Sequence, residues 1–213
     1  MQRLSSKEII NISCIILNNN LGKEIKFPIP IRDLLPDNLN IKEVDFKELY
    51  EDSIITPKQK LYEQRSFKYT AISQLTIRTQ IMNPGQFAGT IYLQKDLDEN
   101  SKRFAIAYEF SRFMIHDKKD VSFICDLEPN LGLYDFTSEE DFLATEFSRA
   151  LLLPYDLVCK EKTKYQSQGG NLPIDYSNWI IHLRDLAQIP EYQAVLAYET
   201  IRKVKTMELN GCK

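Results

Sequence analysis

The chain has 213 residues and a mass of 24.9 kDa, with 43% hydrophobic and 27% charged residues, the balance of one globular domain or of one domain with a small appendage. A formal charge of −3 and a pI near 5.6 exclude a global electrostatic case for coating nucleic acid or an anionic membrane. Four cysteines, Cys14, Cys125, Cys159 and Cys212, form no C-x-x-C pair and the chain holds two histidines, so no Cys/His zinc knuckle follows from spacing and the thiols read as free.

Ser5 and Ser6 are candidate caps of a first helix in which Ile9, Ile12, Ile16 and Leu17 recur at helical spacing, ending at Asn18-Asn19-Asn20 and Gly22. No small-residue cleavage site follows it, and no apolar run approaches the roughly 20 residues that span a bilayer. A cytoplasmic protein without a membrane partner is the expectation. Pro28, Pro30 and Pro36 then allow at most a short helix before an extended piece near 41–46. Leu75, Ile77, Thr79 and Ile81 alternate with Thr76, Arg78 and Gln80, the period of a half-buried strand. Asn83-Pro84-Gly85 turns the chain, and "GTIYLQ" at 89–94 returns as the second arm of a β-hairpin.

A polar loop leads into the helix "RFAIAYEFSRFMIHD" at 103–117. After it a loop runs to Thr137 and Ser138, either of which can cap the next helix, "EEDFLATEFSRALLL", whose apolar face is Phe142, Phe147, Leu151 and Leu152 and which stops near Pro154. Gly169-Gly170 marks a linker, giving a division at 1–168 and 171–213, the second part a helical pair expected to pack on the first as one compact unit. Two further helices follow, the second with Pro190 in its first turn. Phe142, Phe147 and Trp179 read as core, and the basic "IRKVK" as a solvated helix face with no direct nucleic-acid partner. No internal repeat or low-complexity tract is read.

Two stretches, in order and separation, resemble the ImmA/IrrE family of zinc metallopeptidase-like proteins. In that family a G-x-I-x strand precedes R-F-T-x-A-H-E-x-G-H-x-x-x-H, and some tens of residues later comes E-x-x-A-x-x-F-A-x-x-L-L-x-P. Here stand "GTIYL", "RFAIAYEFSRFMIH" and "DFLATEFSRALLLP". Arg103, Phe104, Ala107, Glu109 and His116 fall where the family has those residue types, as do Ala144, Phe147, Leu151, Leu152 and Pro154. The tail "LAQIPEYQAVLAYETI" is similar to the family's terminal helix pair, while residues 47–70 have no counterpart. The resemblance implies an α+β fold: a zincin-like domain with a small β-sheet, a mostly helical remainder and a C-terminal helix pair.

Carried over position by position, the two zinc histidines fall on Tyr108 and Arg112, the general base on Glu109, and the third ligand on Asp141. Zinc takes neutral imidazole, thiolate or carboxylate at about 2.0–2.3 Å. A tyrosine would first have to lose a proton, and a guanidinium stays protonated and ligates nothing. A unit charge about 4 Å from another costs on the order of 4 kcal/mol at an effective dielectric of 20, and twice that against a divalent ion. That cancels much of the roughly 10–16 kcal/mol a good structural zinc site delivers.

The expectation is therefore no cofactor, with the Arg112 guanidinium in the cation's place, held by Glu109 and Asp141 and closed by the Tyr108 hydroxyl. His116, two turns from Tyr108, is too far along the helix to share one ion with Glu109 and reads as a helix C-terminal histidine. The leading functional reading is a pseudoenzyme that binds a protein partner, a helix-turn-helix transcriptional regulator or a component of a mobile-element or defence system. The alternative is an active zinc-dependent endopeptidase cleaving a repressor-type regulator with Glu109 as base. A third reading, a helical binding module without the zincin fold, would lack the hairpin. A surviving groove could hold an extended peptide along residues 89–94.

Overall fold

Short-range patterning decides most element types, and a computed structural model describes residues 4–22, 24–37, 39–45, 71–79, 87–115, 122–126, 139–172 and 174–210. They form two compact units, one from 1–34 with 141–213 and one from 35–140. The architecture is α+β, with the helices concentrated in the first unit and the sheet in the second.

In the helical unit, α1 (Ser6–Leu21) begins with a capping box. The Ser5 hydroxyl accepts from the Glu8 amide at 3.3 Å, and the Ser5 amide donates to the Glu8 carboxylate at 2.7 Å. Both bonds satisfy amides that a helix start leaves without intrahelical partners. The bonds from the backbone and hydroxyl of Ser5 hold the Glu8 carboxyl below its usual range. Gly22, at φ +77°, closes the helix. The proline-punctuated segment holds a single 3-10 turn at Ile31–Leu34, packed on α1 with Ile31 and Leu34 buried.

The other helices of this unit are α3 (Glu139–Leu152), α4 (Tyr155–Ser167), α5 (Tyr176–Ala187) and α6 (Glu191–Asn210). The last two pack on each other, and α6 also meets α1. Their core holds Leu151, Leu152, Trp179, Leu183 and Ala194, all fully buried. The C-terminal helix pair is present as expected; α4 is not anticipated by the sequence pattern. Pro154 ends α3 and then serves as the N-cap of α4, its carbonyl accepting from Val158 at 3.0 Å. Only Val158 of α4 is fully buried, so the segment lacks the apolar stripe by which a helix is recognised. The caps expected at Thr137 and Ser138 lie outside the described residues.

The sheet unit contains β1 (Leu39–Val44), β2 (Ala71–Thr79), β3 (Phe87–Gln94), α2 (Glu99–Ile115) and β4 (Ser122–Asp126). Its four strands run in the order β1-β3-β2-β4. β2 and β3 are antiparallel, pairing Leu75 with Ile91 and Ile77 with Gly89, so the expected hairpin is present. β1 lies parallel to β3, Ile41 opposite Ile91. β4, which the sequence reading leaves inside a loop, pairs antiparallel with β2. Ile91 and Leu93 alternate with half-buried Tyr92 and Gln94, and α2 packs on β2 and β3.

One expectation is corrected here. Residues 89–94 are hydrogen-bonded to β1 on one side and β2 on the other, so they are interior and cannot receive an added strand. Among the described strands only β1 and β4 present an edge.

Gly169 and Gly170 lie inside the helical unit, where they terminate α4. Gly169 has φ +95°, and a Cβ on Gly170 would stand 2.1 Å from the Tyr165 ring and 2.9 Å from the Tyr165 carbonyl. That ring packs 5.3 Å from Trp179, centroid to centroid, so it has little room to yield. Gly170→Ala is expected to cost roughly 1–3 kcal/mol in urea unfolding, while Gln166→Ala on the exposed face stays within about 0.5 kcal/mol. Equal effects would show that the close approach carries no constraint.

Candidate functional site

The candidate site is built on α2. Asp98 caps the helix: its carboxylate accepts from the Ser101 amide at 3.0 Å and from the Ser101 hydroxyl at 2.6 Å. Partial burial opposes ionisation of Asp98, but these hydrogen bonds outweigh it and hold the carboxyl below its usual range. One residue on, Lys102 donates to Glu43 at 2.9 Å, tying the first turn to the end of β1, and approaches Glu99 at 3.4 Å. The hydrogen bond to Glu43 raises the lysine's pKa. Burial of half-exposed Arg103 lowers its pKa.

From Phe104 to Arg112 every residue of α2 is buried. Glu109 is 0% exposed, Tyr108 4% and Arg112 7%. A helix buried on all sides normally carries apolar residues throughout, so a glutamate and an arginine one turn apart mark a chemically specialised stretch. The Arg112 guanidinium lies over the Tyr108 ring, its Cζ 5.2 Å from the centroid, in cation–π range. The Ser111 hydroxyl donates to the Ala107 carbonyl at 2.7 Å, satisfying itself within the helix. Tyr108, Glu109 and Arg112 all have interacting partners.

The structure therefore brings three of the expected positions, Tyr108, Glu109 and Arg112, together on one buried stretch. The guanidinium meets Tyr108 at its ring face. Asp141 begins the helical unit in the first turn of α3 and is partly exposed. Its carbonyl accepts from the Thr145 hydroxyl at 2.8 Å. His116 lies outside the described residues. His182, on α5, is about a third exposed, with Nε2 3.8 Å from Glu161 and its ring beside Tyr165 and Trp179.

These residues do not fit a zinc ion. Where the resemblance would put histidines, α2 supplies a phenol and a buried guanidinium that lies over the phenol ring, and neither offers a neutral nitrogen lone pair. Among the described residues, no group of three or more His, Cys, Asp or Glu side chains is placed to hold a metal ion.

A second buried charged cluster escapes the sequence reading. In α3 the Arg149 Nη1 pairs with the Glu146 carboxylate, and Nε donates to Gln193 of α6 at 2.7 Å. The Thr200 hydroxyl donates to Glu146 at 3.3 Å. The signal for it was a short repeat: Ala-x-Glu-Phe-Ser-Arg occupies both 107–112 and 144–149. In both copies all four side chains from glutamate to arginine are buried, and Ser148 bonds the Ala144 carbonyl as Ser111 bonds that of Ala107.

No protein-family model matches the chain, and no curated protein is significantly similar to it. Among the described residues, no helix is long and apolar enough to cross a membrane.

Arg112→Met removes the cation three residues from a glutamate with no exposed surface. The expected loss is about 3–5 kcal/mol in urea unfolding, with much of it recovered in Arg112→Met/Glu109→Gln. Strict additivity of the two changes would show that the charges are not coupled.

Proposed function

We propose that this protein is a catalytically silent, metal-free relative of the ImmA/IrrE zincin-like proteins that acts by binding a protein partner. The observation that carries this reading is Arg112, a buried permanent cation at a metal-ligand position, stacked on the Tyr108 ring at the other. Helix geometry supports it as well. Positions 108 and 112 are i and i+4, the spacing that puts two imidazoles on one face of a zinc-binding helix, so the frame for a metal persists while its ligand chemistry is gone.

Glu109 survives as the residue type of a general base. A base in such a site works on a metal-activated water, and among the described residues no group of three or more His, Cys, Asp or Glu side chains is placed to hold the metal. Its burial beside a cation suits an electrostatic role instead. The hairpin and the helix packed on its strands support a zincin-like reading over a purely helical module. With residues 89–94 paired on both sides, an extended partner segment would add at the edge of β1 or β4. The resemblance points to a helix-turn-helix regulator of a mobile element or defence system as the partner.

Elemental mass spectrometry on untagged protein, purified without chelator and offered a modest excess of zinc, tests this reading. The expected stoichiometry is near zero for the natural sequence and close to one for the folded triple variant Tyr108→His/Arg112→His/Asp141→Glu. A tightly held zinc in the natural sequence would overturn the proposal, and peptidase activity abolished by chelation would establish the endopeptidase instead. A folded triple variant that binds no zinc would remove the ancestry from the argument.

A further inference from the structure

We draw no further inference here: the strongest candidate, the open groove between α1, the junction of α3 with α4 at Pro154 and Val204 of α6, has an apolar floor with exposed Lys7, Asn11 and Asp156 at its rim, and nothing in the structure shows what covers it.

Discussion

Buried charge has to be compensated close by, and in this protein two helices set a buried glutamate and arginine in the same six-residue pattern. Ala-x-Glu-Phe-Ser-Arg places glutamate and arginine at i and i+3, one turn apart on one face. Serine at the intervening position bonds the carbonyl four residues back, so its hydroxyl makes no demand on the surroundings. The phenylalanine adds apolar burial to the same stretch. In α3 this unit gains further partners from α6, where Gln193 accepts from the arginine and Thr200 donates to the glutamate. In α2 the arginine covers an aromatic ring. One local solution thus underlies two different settings.

The same constraint governs what the α2 site can do. A metal-binding helix keeps its buried acid useful by placing a divalent cation beside it. Here a permanently charged guanidinium stands three residues on, one turn along the same helix. The helix periodicity that would serve two imidazoles instead stacks Arg112 on Tyr108. The strand that follows the hairpin turn is enclosed by β1 and β2, and its backbone donors and acceptors are used within the fold.

Elements with local signatures were legible. The Ser5–Glu8 box, the alternation of 75–79 and 89–94, the short turn among the prolines and the final helix pair each rest on interactions within a few residues. α4 was not legible, because a helix with one fully buried residue has no apolar stripe to read. β4 was missed for a different reason. Its five residues acquire strand identity from β2, some fifty residues upstream, and a pairing partner at that distance leaves no mark on the short run itself. Gly169-Gly170 read as a boundary, yet these glycines serve the close approach of the backbone to Tyr165.

The sequence by itself determined which residues stand at the candidate site, because Tyr108, Glu109 and Arg112 share one helix face by periodicity alone and their chemistry follows from side-chain identity. It also determined the cap of α1 and the antiparallel pairing of β2 with β3, which are settled by contacts between near neighbours. Only the tertiary structure decided that β3 is an interior strand, that residues 1–34 join 141–213 in one unit, and that Arg149 is shared between Glu146 and Gln193. Those facts depend on segments far apart in the chain. Their energy appears when the segments meet, through burial and mutual hydrogen bonding, and neither partner's local pattern specifies the other.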